Sequence, residues 1–225
     1  MKFKKPVINI EDNFLEETLK YYGVKNIEEF IRPTEKNLAS YTDLDNINDG
    51  VELLKSVMIL PEPKVTLIVD CDTDGYTSSA IIYQYIKNHI NPNTKIDYYI
   101  HEEKVHGLED VQDIILPKLY DLVIIPDAGS NDIEYVEELI KNNSKVLILD
   151  HHIVEEQLGN TDTFVLINNQ ISPNYRNKDL SGAGVVYQFC RALDAAYGHN
   201  HADDYIDLAA LGVCADMMSA LDVEN

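Results

Sequence analysis

Cysteine is scarce in this chain: Cys71, Cys190 and Cys214 are the only three. An odd number with no C-x-x-C pair excludes a disulfide framework and a zinc ribbon, and it points to a reducing, cytoplasmic setting. Glycine and proline are few as well, at 10 and 8 residues, so collagen-like and disordered classes fall away. No apolar run approaches the roughly 18 residues of a membrane span, and the basic opening MKFKKPVINIEDNF lacks the apolar stretch of a signal peptide. No membrane partner is expected. The shortage with the largest consequence is positive charge. Lys and Arg number 18 against 39 Asp and Glu, a formal net charge of −21. Such a surface repels polyanions unless cations or a localised basic patch intervene.

What is present is a chain of 225 residues, 45% of them hydrophobic, enough for one large α/β domain or a medium one with an appendage. Residues 1–60 carry helical periodicity, over 13–22, 27–31 (stopped by Pro33) and 45–58, where Ile47, Val51, Leu54 and Met58 share a face. From Val65 short β-branched runs alternate with segments of helix length: VTLIVD, KIDYYI, DLVIIPD, KVLILD and FVLINN. Helices are expected over 77–89, 108–119, 132–142, 183–197 and 203–217. The pattern predicts an α/β fold, a parallel five-stranded sheet flanked by helices (61–225) with an N-terminal helical lead-in (1–60) packed on it.

In such sheets ligands gather at the carboxyl ends of the strands, and three of the runs end there in acids. The first leads into Asp70-Cys71-Asp72-Thr73-Asp74-Gly75, the second into Pro126-Asp127, the third into Asp150-His151-His152. Like charges gathered on one edge repel and lose solvation, which a divalent cation or two resolves. A single strand-end Asp is more simply a helix cap, the role expected of Asp132 or Ser130. The first acidic stretch also opens like an EF-hand loop, but position 12 would be Ile81 where a bidentate Glu is needed, and a strand precedes it. Alternation along an extended loop is expected to turn Asp70, Asp72 and Asp74 to one side.

Imidazole with several carboxylates and no thiolate suits manganese, with magnesium possible. His89, His199 and His201 are read as ordinary surface or core residues. Ser181-Gly182-Ala183-Gly184 precedes an apolar helix whose N–H groups could hold an anion, although G-x-G-x-x-G is absent. Asp216 closes the apolar stretch LAALGVCA and is expected in a cleft.

Together these stretches resemble one family, the DHH phosphoesterases, and within it the RecJ-like single-strand DNA exonucleases. VDCDTDGYTSSA, DLVIIPDAGSND, LILDHH, LSGAGVVYQF and ALGVCADMMSAL are similar to its motifs in order, and KVHGLED to a further RecJ segment. The resemblance implies metal ligands at Asp70, Asp72, Asp74, Asp127, His151 and Asp216, with Asp127 bridging two Mn2+ ions. It implies that His152 faces the scissile phosphate, with Asp127 and Asp150 also catalytic, and that Ser181, Gly182 and His106 meet substrate. Many members carry a His at the position of Ile68, where Asp70 is the nearest substitute. Pyrophosphatases of the superfamily have that His, so Ile68 argues against them. RecJ-like enzymes continue into a second, DHHA1-like domain, which is expected to be absent from this chain. The function implied is two-metal hydrolysis of single-stranded DNA. The alternatives are a phosphatase or nuclease for short oligonucleotides or small nucleotides, and an inactive DHH scaffold in a replication or repair assembly.

Overall fold

A computed structural model describes residues 13–101, 108, 111–156, 158–222 and 224–225. They fall into two compact units, one of residues up to Ala39 with Ser219–Asn225, the other Ser40–Met218. In the first, α1 (Phe14–Tyr21) and α2 (Ile27–Ile31) each begin behind an asparagine: Asn13 accepts from the Glu16 N–H and Asn26 from that of Glu29. Neither helix buries a residue, so local capping rather than packing defines them.

The second unit holds α3 (Ile47–Met58), β1 (Lys64–Val69), α4 (Thr73–Tyr85) running into a π turn (Ile86–Ile90), β2 (Lys95–Ile100), α5 (Gln112–Ile115), β3 (Leu122–Pro126), α6 (Ile133–Lys141), β4 (Lys145–Asp150), β5 (Phe164–Asn168), α7 (Gly182–Tyr197) and α8 (Ile206–Ala215). The five strands form one parallel sheet in the order β2-β1-β3-β4-β5. β1, β3, β4 and β5 are buried almost throughout, as β-branched runs covered on both faces should be. On one face Ile68, Val123, Ile125, Val146, Ile148 and Leu166 pack with Val136 and Leu139 of α6. On the other, α3 comes so close that a Cβ on Gly50 would meet Ile167, Phe189 and Leu147. Leu54 of α3 is fully buried. Leu54→Ala is expected to destabilise the unit by about 2–5 kcal/mol, the range for a deleted core leucine, read from urea unfolding followed by circular dichroism.

Three helix boundaries differ from the sequence reading. Of the stretch 108–119, the described residues form the four-residue α5 and a 3-10 turn (Leu116–Lys118). Pro117 supplies no N–H to continue the helix, and Leu119 leaves it at a positive φ of 51°. α4 starts at Thr73 because Asp72 caps it, its side chain accepting from the Gly75 N–H at 3.0 Å. A 3-10 turn (Ala202–Tyr205) precedes α8. Asp132 stands at the N-cap of α6 but its carboxylate makes no cap bond; it accepts from the Leu108 N–H at 2.7 Å. The expected capping by Asp132 is therefore corrected: long-range tethering has taken its side chain.

Candidate metal centre

In the order 2-1-3-4-5 the chain reverses direction across the sheet between β1 and β3, and the crevice that opens outside their carboxyl ends is the usual ligand position of open α/β sheets. The acid-bearing turns after β1, β3 and β4 all reach it. Asp70, Asp72 and Asp127 each bring a carboxylate oxygen within 4.8 Å of the others, and Asp74, His151 and Asp216 form a second such group. His151 joins the two, with Nε2 3.2 Å from Asp127 Oδ1, 3.6 Å from Asp216 Oδ2 and 3.9 Å from Asp74 Oδ2. The alternation argument is corrected in one respect. Because α4 begins at Thr73, Asp74 lies in its first turn rather than in an extended loop, so it parts from Asp70 and Asp72 and joins the second group.

Asp127 is the most constrained of these acids. Its φ is +67°, a left-handed conformation that Asp tolerates better than most residues, and one found at functional sites. The Leu149 carbonyl fixes its backbone N–H at 2.8 Å. The residue is 1% exposed, and Oδ1 accepts no hydrogen bond from the described residues despite the imidazole beside it. Burial first, then the charges of Asp74, Asp150 and Asp72, push its carboxyl well above the usual range. Burial, with Asp74 and Asp72, likewise raises Asp216 against the pull of His151. A buried carboxylate oxygen without a donor, at the meeting of two acid groups, is the signature of a place fitted to cations. The donor set, carboxylates plus one imidazole, suits manganese or magnesium.

Asp150 is arranged differently. Its Oδ1 accepts from the backbone N–H of His151 (2.7 Å) and of His152 (3.2 Å) and pairs with His152 Nδ1 (2.8 Å), while Oδ2 accepts from Ser130 N–H (3.1 Å). Burial alone would raise this carboxyl, but the bonds from His152 and Ser130 hold it down at about 2. Since ionised Asp150 can only accept, Nδ1 of His152 carries a proton. The same bond pushes the His152 pKa up. Asp150 is thus a positioning residue that fixes the tautomer and orientation of His152, half-exposed at the crevice. Ser130 and Asn168 complete the frame: Asn168 Nδ2 donates to Ser130 Oγ and to the His152 carbonyl. Sequence reasoning missed Asn168. The available signal was a polar Asn168-Asn169 pair closing an otherwise apolar strand.

The anion pocket expected at the start of α7 is filled by the chain itself. The N–H groups of Gly182 and Ala183 donate to Asp74 at 2.7 and 3.0 Å, and Ser181 caps the helix through the Gly184 N–H. The positive end of α7 therefore steadies a carboxylate of the centre. Close approach requires glycine there: a Cβ on Gly182 would lie 2.2 Å from Asp127 Oδ1, and one on Gly212 of α8 2.3 Å from Asp74 Oδ1. Gly182→Ala is expected to weaken Mn2+ binding about 10–100-fold, the usual effect of disturbing the shell around ligands, measured by calorimetry. His106 lies outside the described residues.

A parallel sheet with an acid- and imidazole-lined crevice at its switch point defines an open α/β protein with a candidate metal centre. The family model described as "DHH family, N-terminal domain" matches residues 64–213, and the chain belongs to that family. It is 38% identical over 207 residues to YorK of Bacillus subtilis strain 168, provisionally named an SPbeta prophage-derived single-strand DNA-specific exonuclease. That match covers 92% of this chain and 34% of the relative. Identity to the single-stranded-DNA-specific exonuclease RecJ of Haemophilus influenzae is 27% over 215 residues, 90% of this chain and 36% of the relative. The chain thus spans about a third of the length of these curated relatives. RecJ of Thermus thermophilus in complex with Mn2+ shares the fold with a TM-score of 0.71 and 22% identity, over 89% of this chain and 28% of that one. Among the described residues no helix is long and apolar enough to cross a membrane.

Proposed function

We propose that this chain is the catalytic part of a metal-dependent nuclease that hydrolyses phosphodiester bonds of single-stranded DNA from an end. The observation that carries the reading is the pair of adjoining donor groups, Asp70-Asp72-Asp127 and Asp74-His151-Asp216, meeting at Oδ1 of Asp127, which has no hydrogen-bond partner among the described residues. The relatives' names supply the substrate class. Asp127 would bridge two ions, Mn2+ or Mg2+, held otherwise by Asp70 and Asp72 on one side and by Asp74, His151 and Asp216 on the other. Bound there, divalent ions supply a nucleophile from water near neutral pH and neutralise charge on the phosphoryl oxygens. The chain's own residues do the rest. Asp150 accepts from Nδ1–H of His152, fixes the ring and raises its pKa, so that the imidazolium form meets the scissile phosphate with Nε2–H as the hydrogen-bond donor. Asp74, tied to the start of α7, keeps the donor groups from collapsing onto one another.

A net charge of −21 opposes a long polyanion, and two divalent ions return only a small part of it. This favours short oligonucleotides as a second reading for the chain by itself. Digestion of end-labelled single- and double-stranded DNA and RNA, long and short, with manganese separates the readings. End-directed ladders on single-stranded DNA are expected; absence of cleavage on every substrate would instead favour an inactive scaffold.

A further inference from the structure

Three imidazoles that sequence reading treats as ordinary converge where the end of α4 meets the α7–α8 connection. His89 belongs to the π turn Ile86–Ile90, a helical irregularity that recurs at functional sites. Its ring stacks on that of His201, centroids 4.0 Å apart and planes within 11°, so one ring must turn about its side-chain torsions for both in-plane lone pairs to meet a single ion. His201 Nδ1 stands 3.3 Å from Asp204 Oδ2. His89, His201 and Asp204 each offer one ligand atom within 4.8 Å of the others. His199 meets His201 edge-on with centroids 5.8 Å apart, and its buried Nδ1 has no hydrogen-bond partner among the described residues.

We propose that His89, His201 and Asp204 form a second cation site, separate from the carboxylate-rich centre, that takes a zinc-class ion (Zn2+, Co2+ or Ni2+). The ligand chemistry separates the two sites. Imidazole-rich sets favour these borderline ions, whereas carboxylates at the sheet edge favour manganese and magnesium.

The surroundings hold the loop in place without calling on the rings. Buried Asp194 accepts from Tyr85 Oη at 2.6 Å, from the His201 N–H at 2.9 Å and from the Ala202 N–H at 2.7 Å. This nails the loop to α4 through backbone groups. Tyr187 Oη donates to Asp203 at 2.6 Å, which leaves the next acid, Asp204, as the one facing His201. Tyr205 Oη lies 2.9 Å from His89 Nε2, the kind of outer partner that orients a ligating ring. An ion here joins α4 to the α7–α8 connection, so it acts as a clamp on the helices that carry Asp74 and Asp216.

The test uses the full chain carrying Asp127→Ala and His151→Ala, which removes donors from the sheet-edge centre, titrated with zinc sulfate. One further zinc equivalent is expected to disappear when His201→Asn is added, together with the zinc-induced rise in melting temperature. Cobalt(II) should give d–d absorption that the same change abolishes. Circular dichroism confirms that each variant is folded, and the loss of one equivalent on His201→Asn is expected in the otherwise wild-type chain too. Zinc stoichiometry and melting temperature unchanged by both His89→Gln and His201→Asn would overturn the assignment.

Discussion

Asp127→Asn is expected to lower manganese-dependent hydrolysis by at least about 100-fold, because a bound ion contributes several kcal/mol of transition-state charge stabilisation and each ~1.4 kcal/mol is tenfold in rate, while making the metal-free protein more stable. The two effects share one cause. Asp127 is buried among Asp74, Asp150 and Asp72, and its carboxyl is raised above the ordinary value of 3.8. A group whose folded pKa is raised destabilises the folded state above its unfolded pKa, and that penalty vanishes in acid. An amide of the same shape has no such penalty. At neutral pH without metal the variant should melt about 2–4 °C higher for each ~1 kcal/mol relieved in a domain of this size. The difference should shrink towards pH 4. Retention of more than about a tenth of wild-type turnover would be incompatible with a bridging role. A lower metal-free melting temperature at pH 7 would contradict the electrostatic account.

The second large effect divides two adjacent histidines. His151 Nε2 is surrounded by Asp127, Asp216 and Asp74, whereas His152 turns its Nδ1 away to Asp150. His151→Ala should therefore weaken Mn2+ binding in calorimetry. His152→Ala should bind Mn2+ nearly as the parent does and lose turnover about 10²–10⁴-fold, the range for a group that acts on the reacting phosphate by hydrogen bonding or proton transfer. Asp150→Asn should follow His152→Ala in milder form, since the ring remains but loses its anchor. Equal losses of metal affinity from both histidine variants would refute the division.

Much of this was legible because the sheet writes itself plainly. Leu67-Ile68-Val69 and Leu147-Ile148-Leu149 are continuous apolar runs, and an acid at the end of such a run has only the sheet's carboxyl edge to occupy. Parallel strands then gather Asp70, Asp127 and Asp150 without any knowledge of side-chain contacts. What the one-dimensional pattern did not reveal depends on long-range closure. Asp74 is held by N–H groups of α7, more than a hundred residues away, and Asp132 abandons its own helix for Leu108. Neither bond leaves a mark in local periodicity. His89 and His201 are separated by a similar stretch, and only the packing of α4 against the α7–α8 connection brings their rings together. α5 was overestimated because apolar spacing was read through Pro117.

The grip of α7 on Asp74 also bears on how the molecule comes together. The donors of the centre are drawn from the ends of β1, β3 and β4, from the first turn of α4 and from the residue that follows α8, so nearly the whole order of contacts in Ser40–Met218 must be in place before they meet. Contacts of such high sequence separation form late, after the loop-closure entropy has been overcome. Partly assembled chains, lacking the docked α7 and α8, offer a cation only scattered acids. A divalent cation would therefore discriminate in favour of the finished fold, its binding free energy adding to folding stability as its concentration rises above the dissociation constant. An occupied centre would then serve as a proofreading step for the architecture that built it.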